Sequence, residues 1–363
     1  MRPLLPYSIG ADMPTQNTSR HAFTILELLV IIGIIALLIG ILLPALGSNC
    51  RGRPMNVVAQ ANLRSLTTGA MNYAGDHNDS IFSYTWKVDE SYRELSSGNE
   101  HLMTSNMEAA AFQAMNILQR STGRLQGTAS FKAPSPQLMH LRYSHLVLMD
   151  WLTDRQPEPI AASPFDKNLI DWQENPLAYL DEKNNFPYGK GLPTKPGYDM
   201  NPIWTDPAIA QLWPLASTYQ VVPHAWLNDT NPQYTPSPTS PHHMIDTGSK
   251  NPMGGRKMSQ VAHPSGKVFM YEEFDRFTNE KKPLYATDPI ARINLAFFDG
   301  SVRQELVKDA NSAYDKDNPS AIWEQPYLPL DTFPLPSGGL NDQTKLDLRF
   351  RWTKGGLQGI DYP

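Results

Sequence analysis

The chain has 363 residues and a formal net charge of −5, with 31 Lys and Arg against 36 Asp and Glu. This length allows a sizeable hydrophobic core in one or two domains, and the acidic balance argues against a nucleic-acid-binding face. Cys50 is the one cysteine, which excludes an intrachain disulfide. The 32 prolines concentrate between Pro134 and Pro241, where they disfavour long regular elements.

A long apolar run stands near the amino terminus. No charged residue occurs from Leu28 to Leu46, which is long enough for a helix that crosses a bilayer. Glu27 precedes the run, and a carboxylate there is costly in lipid unless it has a partner. A cleaved secretory signal would have a shorter apolar core and a small-residue site at its end. A plain membrane anchor would leave Glu27 unexplained.

This segment resembles the N-terminus of type IV pilins and type II secretion pseudopilins. In that family a prepilin peptidase cuts before Phe, the new amine is methylated, the fifth mature residue is Glu, and proline is common at the twenty-second. Phe23, Glu27 and Pro44 agree with that register, although Ala22 replaces the usual Gly. The resemblance implies cleavage between Ala22 and Phe23 and N-methylation of Phe23. It also implies assembly or register roles for Glu27 and Pro44.

The resemblance further implies an organisation in three parts. A leader at 1–22 precedes an N-terminal helix at 23–76 and a globular head domain at 77–363. Within the helix, 23–46 is expected to span the membrane and 55–75 to be amphipathic. The fold class expected is therefore α+β, with a long pilin-type helix followed by a head that has an antiparallel sheet and loop-rich insertions.

Two sequence features mark the outer part of this helix. Glycines and a proline between Gly47 and Pro54 predict a weak point or break. Beyond it, apolar residues recur at spacings of three and four, as on one face of a helix: Ala59, Leu63, Leu66, Ala70 and Tyr73. We expect residues 77–363 to fold without the anchor. Non-cooperative unfolding of that fragment would indicate that the head needs this stripe.

The head contains several predicted elements. Apolar spacing predicts short helices at Ser105–Leu118 and His140–Leu152. Runs of β-branched and aromatic residues predict strands at Ser217–Val222, Lys267–Tyr271, Ile293–Phe298 and Ser301–Val307. Because Asp299-Gly300 separates the last two runs, they predict a hairpin with a type I′ turn.

A second resemblance covers the C-terminal part. Met258–Met270, Ile293–Arg303 and Trp352–Asp361 look like segments of large pseudopilin-like proteins of planctomycete-type bacteria, which carry an "H-X9-DG" segment. Asp299-Gly300 matches its end, but Pro289 stands where the histidine would be. Residues 163–166, Ser-Pro-Phe-Asp, lie where such proteins often have Cys-Pro-Ser-Asp.

Three groups of residues have possible site chemistry. The carboxylates Glu272, Glu273, Asp275 and Asp299 could hydrolyse a sugar or bind a cation, but solvated acids at strand ends are the favoured interpretation. A surface loop is favoured over a metal site for His242, His243 and Asp246. Core packing is favoured over a sugar-binding platform for Trp151, Trp204, Trp213 and Trp226. We predict no catalytic residue, no metal ligand and no cofactor.

The sequence thus favours a structural, non-enzymatic subunit of a type II secretion pseudopilus or type IV pilus-like filament, with a large head that suits a minor subunit. The resemblance implies a prepilin peptidase, other pilin or pseudopilin subunits, an inner-membrane secretion platform and membrane lipid as partners. It places the chain in the inner membrane as a single-pass protein with a periplasmic or extracellular C-terminal domain. One alternative is a monomeric anchored domain that binds polysaccharide. A membrane-tethered hydrolase is another.

Overall fold

The structure is a computed structural model, and it describes residues 25–47, 52–123, 133, 142–153, 156–174, 213–227, 253–278, 284–286, 288–312, 349–353 and 355–363. By its contacts the chain divides into two compact units, Met1–Arg51 and Gly52–Pro363. The expected leader at 1–22 and the expected first mature residue, Phe23, lie outside the described residues.

The first unit contains the helix α1, which spans Ile25–Gly47. Glu27 lies in its first turn, where the partial positive charge of a helix N-terminus favours a carboxylate. Position 44 is helical, but the Pro44 side chain lies outside the described residues. The described large apolar side chains of α1 are 41% to 84% exposed. Within the described ranges, which include part of the expected span 23–46, no helix combines the length and apolar character that crossing a membrane requires.

The second unit begins with α2, which spans Gly52–Asp76. Pro54 lies in the first turn, where its missing N–H removes no helical hydrogen bond. One face of α2 packs against the segment Ser144–Trp151 and the central sheet. This buried face is the apolar stripe that the sequence predicts: Ala59, Leu63, Leu66, Ala70 and Tyr73. By its contacts α2 therefore belongs to the unit that holds the sheet.

The helix α3 spans Asn106–Thr122 and has favourable capping residues at both ends. The Ser105 hydroxyl accepts the N–H of Glu108 at 3.1 Å, which satisfies a donor of the first turn. Gly123 follows the last turn with φ of 70°, a left-handed conformation that suits glycine. The helix predicted at Ser105–Leu118 is confirmed and extends to Thr122.

The central sheet is antiparallel, with strands in the order β3-β4-β7-β8, and two smaller sheets pair β1 with β2 and β5 with β6. A further helix, α4, lies between β2 and β3 in the sequence, after α3. Their bounds are β1 Ser91–Arg93, β2 Glu100–Leu102, α4 Lys167–Glu174, β3 Tyr219–Val221, β4 Val268–Glu272, β5 Phe274–Asp275, β6 Leu284–Tyr285, β7 Arg292–Phe297 and β8 Val302–Leu306. The predicted α+β class with an antiparallel sheet is confirmed.

Strand β7 is covered on both faces. Towards α2, Asn294 Oδ1 accepts a hydrogen bond from Gln60 Nε2 at 3.2 Å. On the opposite face, the Phe297 ring lies 6.0 Å from the ring of Tyr362. Helix α2 and the C-terminal segment thus enclose the sheet between them, which explains why apolar residues occupy successive positions of β7.

The hairpin of β7 and β8 forms around Asp299-Gly300, but its turn differs from the predicted type I′. Gly300 has φ of 83°, whereas Asp299 is not among the residues with positive φ. Gly300 N donates to Phe297 O at 2.9 Å, and Phe297 N donates to Ser301 O at 2.9 Å. These bonds define a three-residue loop in which a left-handed glycine closes the turn with a bulge. Because this turn needs a positive φ only at Gly300, Asp299 can keep a negative φ.

The helix predicted at His140–Leu152 is corrected to a 3-10 helix at Ser144–Trp151. Its buried residues are Ser144, His145, Leu146, Leu148 and Met149. The buried positions include the polar Ser144 and His145, so burial does not follow the one-sided apolar pattern on which the α-helix prediction depends. The tighter 3-10 geometry instead lets a short segment pass between α2 and α3.

The three segments of the second resemblance meet at one end of the sheet. Phe298 N donates to Lys267 O at 3.1 Å, which links the hairpin to the first segment. Ala262 N donates to Leu357 O at 3.2 Å, which links the first segment to the C-terminal one. Residues that are far apart in sequence therefore form one structural unit.

The centre of this unit is a C-terminal clamp, formed by Gly266, Lys267, Thr353, Asp361 and Tyr362. The Lys267 ammonium lies 3.1 Å from Asp361 Oδ2, and their side chains are 0% and 1% exposed. Asp361 N and Tyr362 N donate to Gly266 O at 3.0 and 2.9 Å. A side chain at Gly266 would place its Cβ 2.4 Å from Tyr362 O, so the close approach requires glycine.

Candidate functional site

Glu272 and Glu273, at the end of β4, belong to a buried acid–arginine cluster, formed by Asp166, Glu272, Glu273, Arg276 and Arg351. Arg276 Nη2 lies 3.3 Å from Asp166 Oδ2, and its Nη1 lies 3.3 Å from Glu272 Oε1. Arg351 Nη2 lies 3.2 Å from Glu273 Oε1. All five side chains are at most 3% exposed. The neighbours Glu272 and Glu273 pair with different arginines because successive residues of a strand point to opposite faces of the sheet.

The pKa values in this cluster reflect burial first and the arginines second. Burial raises the pKa of Asp166, Glu272 and Glu273, because a low dielectric disfavours the charged carboxylate. The Arg276 guanidinium opposes this rise at Asp166 and Glu272, and Arg351 does so at Glu273. Each carboxylate thus has a cation beside it and little contact with solvent.

The cluster also ties the sheet to α2 and to the α4 region. Asn294 Nδ2 donates to Glu272 Oε2 at 3.1 Å and to Asn56 Oδ1 on α2 at 2.8 Å. Thr218 Oγ1 donates to Asp166 Oδ2 at 3.3 Å, which joins the residue before α4 to the start of β3. Asp166 is the last residue of the Ser163–Asp166 tetrapeptide noted in the sequence. Its contacts with Thr218 and Arg276 connect the segment before α4 to the sheet region.

The remaining two acids of the predicted group have separate roles. Asp275 accepts the N–H of Arg292 at 2.8 Å and the hydroxyl of Thr278 at 2.6 Å, so it joins the start of β7 to β5. Asp299 accepts the N–H of Ser301 at 2.9 Å within the exposed hairpin turn. The structure therefore does not bring Glu272, Glu273, Asp275 and Asp299 together. The expectation that acids near strand ends are solvated is wrong for the first three, which are buried.

The tryptophans and histidines of interest divide between core, surface and undescribed segments. Trp226 is 1% exposed, and its Nε1 donates to Phe82 O at 2.8 Å, so core packing is confirmed for this residue. Trp151 is half-buried. Trp213 has a described backbone only. The remaining residues of the suggested platform and of the polar loop lie outside the described residues: Trp204, His242, His243 and Asp246.

A groove with polar and aromatic lining lies beside Trp151, and the sequence did not predict it. It has a volume of about 470 Å³ and lies between the end of α2, one face of α3 and the segment Ser144–Trp151. Tyr73, His77 and Trp151 provide aromatic surface, and Arg120 and Asp150 lie at its exposed rim. The available signal was the spacing of Ile117 and Arg120 with Gln113 on α3, which places them on one helix face.

Among the described residues, no three His, Cys, Asp or Glu side chains are grouped so that they could hold a metal ion. Among the residues expected to act in processing and assembly, Glu27 lies in α1, and Pro44 has a described backbone only. Ala22 and Phe23 lie outside the described residues. No protein-family model matches the chain, and neither does any curated protein or any solved structure.

Proposed function

We propose that this chain is a membrane-inserted structural subunit of a type II secretion pseudopilus or a type IV pilus-like filament. Its leader is removed between Ala22 and Phe23 by a prepilin peptidase, and the Phe23 amine is methylated. The subunit stands in the inner membrane with its head on the periplasmic or extracellular side. It assembles with other pilin-like subunits on a secretion platform.

The observation that carries the proposal is the combination of an exposed apolar surface with one acid on α1. The described large apolar side chains from Ile25 to Ile39 are 41% to 84% exposed, which is unfavourable in water and favours burial in lipid or among neighbouring helices. Glu27 lies in the first turn of that helix. In an assembled bundle, its carboxylate pairs with the Phe23 amine of a neighbouring subunit and sets the axial register.

The second unit supports a structural role for a different reason. Its central acids, Asp166, Glu272 and Glu273, lie beside arginines and are nearly excluded from solvent. A hydrolase would need carboxylates that a substrate can reach. The clamp around Asp361 likewise joins distant segments rather than opening to a cleft. These features suit a rigid head displayed on an assembly.

Substitution of Glu27 by Gln tests the proposal because it removes the charge and nearly preserves the shape. We expect normal membrane insertion, since neutral residues are less costly in the span, and a loss of crosslinked oligomers. Ile35→Val is the matched control, because it changes α1 without changing charge, and it should assemble normally. Membrane level and crosslinking are measured together, with intact mass to locate the mature N-terminus.

The same experiment separates this proposal from a monomeric anchored binding domain. An anchor does not need the Glu27 carboxylate, so that alternative predicts no effect of Glu27→Gln on either measurement. Normal oligomers from the Gln variant would refute the assembly role of Glu27. A mature protein that retains residues 1–22 would refute the processing step.

A further inference from the structure

The groove near Trp151 has three walls that present side chains. One wall is the C-terminal turn of α2, and another is the face of α3 that carries Gln113, Ile117 and Arg120. The third wall is the segment Ser144–Trp151, and Ser83 and Thr85 also line the groove from the non-helical segment after α2. A volume of about 470 Å³ falls within the range of small-molecule sites, which is roughly 300–1,000 Å³.

The aromatic surface of the groove is held in a fixed arrangement. The rings of Tyr73 and His77 stack with centroids 4.1 Å apart and an interplanar angle of 6°. Trp151 packs edge-on against them, at 5.1 Å from Tyr73 and 5.4 Å from His77. The indole Nε1 of Trp151 donates to Asp76 Oδ2 at 2.8 Å, which restrains the rotation of the ring. A ligand would therefore meet a preorganised apolar surface, and less entropy would be lost on binding.

The rim of the groove is polar without a dominant charge. Arg120 provides several hydrogen-bond donors, Asp150 provides acceptors, and both side chains are exposed. Because one cation and one anion face the same groove, neither a polyanion nor a polycation is favoured. The two helical walls use their backbone N–H groups internally, and the Thr85 N–H donates to Gln113 Oε1 at 2.7 Å, so these groups are not available to pair with an extended peptide.

We propose that this groove binds a neutral oligosaccharide. A sugar ring has an apolar C–H face that packs on aromatic side chains, and its hydroxyls both donate and accept hydrogen bonds. Trp151 and His77 supply the apolar contact, while Arg120 and Asp150 bind hydroxyls at the rim. This role uses only residues of the second unit and does not depend on α1 or on assembly.

Calorimetric titration of the full chain tests the proposal, in a detergent without a sugar head group so that the detergent cannot compete. The probes are cellohexaose, chitohexaose and maltohexaose. We expect at least one to bind, and Trp151→Ala to weaken its binding by roughly tenfold or more, as for other buried aromatic anchors. Phe277→Ala is the control, because Phe277 is also half-buried but does not line the groove.

Because Trp151 also packs against Tyr73, Trp151→Ala removes a packing contact as well as a ligand contact. A second variant therefore separates an effect on folding from an effect on binding. Arg120 is exposed on α3, so Arg120→Ala should leave the thermal unfolding transition unchanged and still weaken binding severalfold. Absence of binding for all three probes would overturn the proposal. So would equal affinity in Arg120→Ala and the unsubstituted chain, or binding of unrelated peptides but not sugars in the groove.

Discussion

Replacing Asp361 with Asn should destabilise the second unit strongly. The carboxylate lies 3.1 Å from the Lys267 ammonium and accepts the N–H of Val268 at 2.8 Å, in a site where both charged side chains are at most 1% exposed. Asn preserves the size but removes the negative charge that stabilises the ammonium. Loss of one partner from a buried ion pair costs about 3–5 kcal/mol.

A surface pair provides the matched comparison. Arg303 Nε lies 2.6 Å from Glu305 Oε1, with side chains 37% and 29% exposed, so solvent screens the interaction. Glu305→Gln should therefore change the free energy of unfolding by no more than about 1 kcal/mol. Urea titration followed by circular dichroism measures both variants. A loss below about 1 kcal/mol for Asp361→Asn would refute the argument that this pair is buried and coupled to folding.

Three further predictions concern the same unit. The stripe of α2 is part of the core, which reverses the expectation from sequence that 77–363 folds alone: 52–363 should unfold cooperatively in thermal scans and 77–363 should not. Gly266→Ala should destabilise by about 3 kcal/mol in urea titration, since its Cβ would collide with Tyr362 O. Burial lowers the pKa of His145 to about 3, so the unfolded chain binds a proton below its ordinary pKa and the folded chain does not. Stability should then fall as pH drops below about 6.5, by up to about 1.4 kcal/mol per unit from this residue, and His145→Phe should remove that part of the slope.

The sequence predicted those parts of the fold that are determined by residues close together in the chain. The cap at Ser105, the apolar spacing of α3 and the Asp299-Gly300 pair each act within a few residues of chain. The hairpin turn differed only in type, because a single left-handed glycine with a bulge closes the loop as well as two positive-φ residues would. The α-helix prediction for Ser144–Trp151 was wrong for a tertiary reason, since neighbouring elements bury polar as well as apolar residues of this segment.

The buried ion pairs could not be predicted, because their partners come from distant segments. Arg276 pairs with Asp166, which lies 110 residues earlier, and Glu273, close to Arg276 in the sequence, pairs with the distant Arg351. Sequence alone gives the charges without the distances, and exposed acids are the more common outcome. The groove was missed for the same reason, since Tyr73, Arg120 and Trp151 belong to three separate elements.

The clamp also determines when the second unit can complete its folding during synthesis. Val268 and Asp361, which the clamp joins, are 93 residues apart in the chain. At synthesis rates of ~5–20 residues per second, Lys267 leaves the ribosome roughly 5 to 20 s before its partner. During that interval the strand β4 lacks the carboxylate that it needs for burial. The second unit therefore cannot complete this ion pair until the distant carboxylate emerges.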